Sequence, residues 1–335
     1  MNSIQVRNPN NGQLLYEVTA ADEGKITAVF QRARSVQSQI AAMTVKQRAQ
    51  EIVKISDYLI HHREHIIDRL VSETGKTRFE ALSNELLEVC GGIDYYRDAA
   101  PKILRDRKAP TPLLLMGKKS RIIFEPLGTI LIIAPWNYPL VQCFTPALQA
   151  FLAGNAVVFK PSEVTPLQGL YEEILAGSGF MPDAIQLVYG GKDVGARLIE
   201  HRPDKIHFTG STRAGKQIMA AAAPHLIPVE LELGGKDPAI VFEDVNIETT
   251  ANGIAWAAFT NAGQACTAVE RCYVHQSIYE PFVQEVVRIT QKLRLAAPDR
   301  DGSQPPDSIR IMPTHRIFVP IMSTRPKIST SIRQA

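Results

Sequence analysis

Between Gly128 and Leu231, short apolar runs alternate with helical stretches and almost no chain is left over. Residues 129–134, 156–160, 185–188, 205–208 and 227–231 have the length and apolar content of strands. Helical periodicity fills 139–153, 166–178, 192–200 and 212–223. A strand that is followed each time by a helix returns to the same sheet in parallel, so the expectation is a doubly wound α/β domain. Ligands on such sheets bind beyond the carboxyl ends of the strands, which makes the residues just after each strand the ones to inspect.

The flanking sequence is simpler. Residues 1–20 predict two short strands joined by Pro9-Asn10-Asn11-Gly12, followed by helices near 21–39, 45–71 and 76–98. Leu113-Leu114-Leu115-Met116 and Arg121-Ile122-Ile123-Phe124-Glu125, joined through Gly117-Lys118-Lys119-Ser120, predict a hairpin with an edge open to pairing. After Pro238 the pattern predicts a strand at 239–242, a helix at 247–260, a strand at 272–275 and a helix at 277–294. His61-His62-Arg63-Glu64-His65 lacks the spacing of a metal centre and reads as a solvated helix face, so no metal is expected. A net charge of +3 without a Lys/Arg block gives no sign of a nucleic-acid partner, and no apolar run approaches a membrane span. Four cysteines without paired spacing suit reduced thiols and a cytoplasmic location.

Five places carry chemistry. Glu232 leaves a strand-like run and meets Gly234-Gly235, while Cys266 follows Gly263-Gln264 on a tight loop 34 residues later. A thiol and a carboxylate suit covalent catalysis, in which sulfur attacks an electrophilic carbon and the acid activates the thiol or a water. Taken alone, the same residues also fit a buried cysteine and a surface glutamate. Asn137, in Ala134-Pro135-Trp136-Asn137-Tyr138-Pro139, offers an amide donor to an oxyanion or simply caps the next helix. In Phe159-Lys160-Pro161-Ser162-Glu163, Lys160 and Glu163 can grip ribose hydroxyls, and the same Glu suits a helix start. Phe208-Thr209-Gly210-Ser211-Thr212 leads from a strand into a helix whose free amides can meet a pyrophosphate. Gln217 stands where a phosphate loop needs a hydroxyl, which argues against a Mg²⁺-nucleotide site.

Leu231-Glu232-Leu233-Gly234-Gly235-Lys236 and Phe259-x-x-x-Gly263-Gln264-x-Cys266-x-x-x-x-Arg271 resemble the glutamate and cysteine signatures of the aldehyde dehydrogenase superfamily. Pro-Trp-Asn and Phe-Thr-Gly-Ser-Thr resemble its oxyanion and cofactor motifs. The resemblance implies oxidation of a small-molecule aldehyde to a carboxylic acid by NAD, with NADP possible, through a thiohemiacetal and a thioester. Cys266, Glu232 and Asn137 would be catalytic. Trp136, Lys160, Ser162, Glu163, Gly210, Ser211 and Leu233 would hold the cofactor, and Glu163 would repel a 2′-phosphate. The implied domains are an NAD(P)-binding domain at 1–106 and 127–231, an oligomerisation hairpin at 107–126 and a partial α/β catalytic domain at 232–300. An ordinary internal hairpin is the alternative for 107–126.

Beyond about Leu295 the resemblance stops. Prolines 305, 306, 313, 320 and 326 interrupt a stretch without periodicity, so 301–335 is expected to be a disordered tail. Family members continue further, with a second glutamate motif and a C-terminal strand used in homo-oligomers, so the chain reads as truncated within the catalytic domain. Two rival readings follow. One is a non-catalytic fragment or pseudoenzyme that retains cofactor or subunit contacts. The other is a relative that passes its thioester to coenzyme A, against which Glu232 argues as a water-activating base.

Overall fold

A computed structural model describes residues 3–293, 317–322 and 329–332. Two compact units result. The first comprises Met1–Glu73 and Leu82–Glu232, and the second Thr74–Ala81 and Leu233–Ala335. Residues 74–81 therefore group with the second unit, although the sequence places them within the cofactor domain.

The first unit opens with β1 (Ser3–Arg7) and β2 (Leu14–Thr19), an antiparallel pair. Next come α1 (Glu23–Ala42), α2 (Val45–His61) and α3 (Arg63–Thr74). The single long helix expected at 45–71 is divided at His62, whose φ of −106° and ψ of 18° leave the helical region. His62 stacks on Tyr58, and His65 Nε2 lies 3.1 Å from Glu173 Oε2. Past α4 (Arg78–Ala81), a π-helical turn at Leu82–Leu86 leads into α5 (Leu87–Ile103).

The hairpin differs from expectation in its arms. Its ladder is β3 (Arg107–Ala109) against β4 (Ser120–Ile122), and Leu113–Leu115 forms a 3-10 turn. Pro110 and Pro112 explain the difference, because neither can donate to a ladder and Pro112 sets the entry to the turn. Leu113, Leu114 and Met116 are left largely exposed.

A five-stranded sheet then forms from β5 (Thr129–Ile133), β6 (Ala156–Lys160), β7 (Ile185–Leu187), β8 (Lys205–Gly210) and β9 (Val229–Leu233). The strand order is β7-β6-β5-β8-β9, and β5 pairs in parallel with both β6 and β8. The connecting helices are α6 (Pro139–Leu152), α7 (Leu170–Gly177), α8 (Lys192–Glu200) and α9 (Thr212–Ala222). Every residue of β6 is buried, as a strand covered on both faces requires. Leu131, Ile132, Val157, Val158 and Phe159 have no solvent exposure and form the centre of the sheet. The order reverses between β5 and β8, which opens a crevice beyond their carboxyl ends.

In the second unit, β10 (Asp237–Val241), β11 (Val269–His275), β12 (Ile317–Met322) and β13 (Ser329–Ile332) form a sheet in that order. The first three strands are parallel and β13 is antiparallel to β12. Between β10 and β11 runs α10 (Ile247–Phe259), and α11 (Tyr279–Gln291) follows β11. Val241, Ala255, Phe259, Cys272, Val274 and Phe282 build the core there. Most of the expected tail at 301–335 lies outside the described residues, yet within it β12 and β13 are regular strands. Ile317-Phe318-Val319-Pro320-Ile321-Met322 is rich in β-formers; β11 pairs with Phe318, Ile321 and Met322, and Pro320 faces Ser329 in the register with β13.

Candidate functional site

Three strand ends of the first unit meet around one cavity of about 390 Å³. From β5 come Ala134, Pro135 and Trp136, from β6 Lys160, Ser162 and Glu163, and from β8 Thr209, Gly210 and Ser211. Six of the seven residues expected to hold a cofactor thus share one wall. Leu233, the seventh, belongs to the second unit.

The β5–α6 turn is held from several sides. Glu85, fully buried, accepts the amides of Leu140 and Val141 at 3.0 and 3.1 Å, setting a carboxylate at the N-terminus of α6. The Thr165 hydroxyl donates to the Trp136 carbonyl at 2.8 Å, and the Tyr171 hydroxyl to that of Pro139 at 2.9 Å. Asn137 sits half-buried within this turn. Pro139 occupies the first turn of α6, where its missing N–H costs nothing.

At the end of β6 the Lys160 ammonium is buried, donates to the Pro161 carbonyl at 3.0 Å and lies 3.5 Å from Glu163 Oε2. Burial lowers the Lys160 pKa, and the neighbouring Glu163 charge opposes that shift. At the end of β8, Ser211 caps α9 by accepting the Ala214 amide at 3.2 Å. A Cβ on Gly210 would come within 2.6 Å of the Phe208 ring, so any side chain at this bend would require that ring to move. Ala196 and Ile199 of α8 face Ile218 and Ala221 of α9 across the cavity. Sequence reasoning missed these four, because they look like the ordinary apolar faces of two helices.

The donor set fits a dinucleotide. An apolar slot between two helices suits a base, Glu163 and Lys160 suit ribose hydroxyls, and the first-turn amides of α9 suit a pyrophosphate. The volume is that of a small-molecule cleft. Glu232 stands exposed near the end of β9 in the same unit, outside this lining.

In the second unit, Cys266 is exposed, whereas Cys90, Cys143 and Cys272 are buried. The chain reaches it through Asn261, Ala262 and Gly263, which have φ of 49°, 59° and 74°. Two consecutive non-glycine residues in the left-handed region cost about 1–3 kcal/mol each and need support from outside the turn. Gln264 N donates to Asn261 O at 3.0 Å, and Asn261 Nδ2 to Gln264 O at 3.3 Å. Glu80, a buried residue of the same unit, accepts the Asn261 amide at 2.6 Å. Arg271 donates through Nε and Nη2 to the Lys236 carbonyl at 3.0 and 2.5 Å, while the Lys236 ammonium pairs with Glu270. The last residue of the cysteine signature thereby holds the backbone of the glutamate signature.

A sequence profile of the aldehyde dehydrogenase family matches residues 1–306. A 4,4'-diapolycopene aldehyde oxidase from a Methylomonas species is 33% identical over 318 residues, covering 94% of this chain and 59% of that protein. Mitochondrial succinate-semialdehyde dehydrogenase of Arabidopsis thaliana is 33% identical over 304 residues, covering 90% and 57%. Among solved structures, the NAD+ complex of an aldehyde dehydrogenase from Bacillus cereus superposes with a TM-score of 0.84 at 32% identity, covering 92% of this chain and 62% of that one. The chain spans about three-fifths of the length of the relatives it matches. With its profile, its curated relatives and its fold in agreement, the chain belongs to the aldehyde dehydrogenase family.

Proposed function

We propose that this chain oxidises an aldehyde to a carboxylic acid with NAD(P)+, using Cys266 as nucleophile. The observation that carries this reading is the cavity in which Trp136, Lys160, Glu163, Gly210 and Ser211 converge at the switch point of the sheet. Relatives named as NADP(+)-dependent and structures named as NAD+ complexes both occur among its matches, so either cofactor suits the cavity. Lys160 and Glu163 would take the adenosine ribose, and α9 would take the pyrophosphate.

In this reading the Cys266 thiolate attacks the carbonyl carbon, a C–S bond forms and the carbonyl electron pair moves to oxygen. The Asn137 side-chain amide and the Cys266 backbone N–H donate to that oxyanion. A bound nicotinamide supplies the oxidation by accepting a hydride. The acyl group left on Cys266 is a thioester. Glu232 takes a proton from the water that attacks it, the C–S bond breaks, and the acid departs with the thiolate restored. A reducing cytoplasm would keep the exposed thiol competent.

Two measurements test the reading. Quenching of Trp136 fluorescence on titration with NAD or NADP reports the cavity, and NADH or NADPH absorbance with a panel of aldehydes reports the reaction. Both are expected. Quenching without turnover would overturn the dehydrogenase reading in favour of a cofactor-binding protein, and no quenching would overturn the site itself.

A further inference from the structure

The loop that presents Cys266 depends on a residue outside every recognised motif. α4 is opened by a reciprocal cap: Thr77 Oγ1 accepts the Glu80 amide at 3.1 Å, and Glu80 Oε2 accepts the Thr77 amide at 3.1 Å. One carboxylate oxygen completes that cap. The other, Oε1, lies 2.6 Å from the amide of Asn261, 181 residues along the chain. Asn261 is the first of the left-handed residues, and its own side chain closes the turn on Gln264, two residues before Cys266.

Electrostatics make this placement informative. Asn261 follows the C-terminus of α10, where carbonyls dominate and a carboxylate is unfavourable. Burying a carboxylate there is also costly unless its lone pairs are taken up. Both costs are offset only by specific donors, and here the donors are the Thr77 cap and one amide of the cysteine loop. A charge-assisted bond of this kind holds a turn that its own residues do not favour.

We propose that Glu80 is a positioning residue that fixes the Asn261–Gln264 turn and thereby the direction in which Cys266 is presented. The proposal rests on the reading of Cys266 as the nucleophile. It assigns Glu80 no contact with substrate or cofactor. Loss of the bond should loosen the thiol and leave cofactor affinity alone.

The test compares Glu80→Ala, Glu80→Gln and Thr77→Val in the full chain. In Glu80→Ala, kcat should fall about tenfold or more, since small misplacements of a reacting atom are expensive, with cofactor Kd unchanged within about twofold. Glu80→Gln keeps one carbonyl oxygen for the Asn261 amide and should recover most of the loss. Thr77→Val breaks the helix cap, keeps the Asn261 bond, and should stay within about twofold of the parent. Hydrogen exchange and iodoacetamide labelling give the same comparison without turnover. Amides 261–266 should exchange faster in Glu80→Ala, and Cys266 should be labelled at a rate closer to that of the urea-unfolded chain. Parent-like kcat, exchange and labelling in Glu80→Ala would overturn the proposal, as would equal losses in Thr77→Val. Where Glu80→Ala does not fold, exchange at 261–266 in Glu80→Gln decides: exchange faster than in the parent while Thr77→Val stays parent-like supports the proposal, and exchange equal in Glu80→Gln, Thr77→Val and the parent overturns it. Full activity in Cys266→Ser would instead overturn the nucleophile assignment, a result separable from every outcome above.

Discussion

Replacing Glu163 by Gln removes one charge from the cavity proposed to hold the cofactor, at almost constant shape, and its consequence follows from the Lys160 pair. Nζ and Oε2 are 3.5 Å apart, with the Lys160 side chain 4% and the Glu163 side chain 44% exposed. Coulomb attraction at that distance is roughly 5 kcal/mol at an effective dielectric of about 20 and roughly 1 kcal/mol in bulk water. Because the carboxylate is partly solvated, about 1–2 kcal/mol is the figure to carry forward. In Glu163→Gln the ammonium is no longer neutralised, and the carboxylate no longer repels a 2′-phosphate of charge about −1.5 to −2. Both changes favour NADP over NAD. With each factor of ten worth about 1.4 kcal/mol, the preference should move toward NADP by about tenfold. Fluorescence titration of both cofactors in parent and variant measures it. The shift should shrink as salt is raised from low to physiological ionic strength. Loss of Glu163 also removes a charge that opposes the burial-driven fall in the Lys160 pKa, so the gain should fade at lower pH than a solvent-exposed lysine would allow. An NADP-to-NAD ratio unchanged at low salt would refute the reasoning and place the adenosine ribose elsewhere.

Iodoacetamide at neutral pH should label Cys266 far ahead of the other thiols, and Cys266→Ala should abolish turnover while leaving cofactor quenching intact. Burial raises the Cys90 and Cys143 pKa values and pushes Cys272 up to about 12, so equal labelling of any of these in folded protein, read by peptide mass, would sink the assignment. Arg48→Met should destabilise the fold by about 3 kcal/mol, since the buried guanidinium serves the carbonyls of Leu152, Ile40 and Met43 at the ends of α6 and α1. An unfolding free energy lowered by less than about 1 kcal/mol, taken from the urea midpoint at unchanged m-value, would show that those carbonyls find water instead.

The central sheet was legible because its strands are short, apolar and separated by turn residues. β6 shows why: Ala156-Val157-Val158-Phe159-Lys160 is buried at every position, and only a strand covered on both faces tolerates so continuous a run. The residues at the cavity wall were legible for a related reason. Each lies immediately after a strand, where a doubly wound sheet places its ligand, so Trp136, Lys160 and Gly210 needed no knowledge of tertiary contacts. Leu113–Leu115 was misread because composition favours a strand there, whereas the flanking prolines decide the backbone. The prolines of 301–335 argued only against a long regular element, and the described elements there are short, six residues in β12 and four in β13.

Buried carboxylates were the part that sequence could not show. Glu80 and Glu85 sit on a helix and a π-turn, and glutamates on such elements usually face water. Their burial is decided by backbone amides 181 and 55 residues away, and no local pattern encodes an amide as a partner. The same logic explains why the signature residues were easy to find and their supports were not. A nucleophile or an oxyanion donor must be a particular side chain, so it stands out by type. The turn that aims it can be held by any acceptor that reaches its N–H groups. Here only four residues of chain lie between one carboxylate that holds the turn before Cys266 and another that holds the turn leading from Asn137 into α6. They serve different compact units, since the boundary between the units falls between Ala81 and Leu82. On the roles proposed for Cys266 and Asn137, a substitution in this short segment would disturb both turns without touching either side chain, and it would pass as a harmless surface change in any reading confined to motifs.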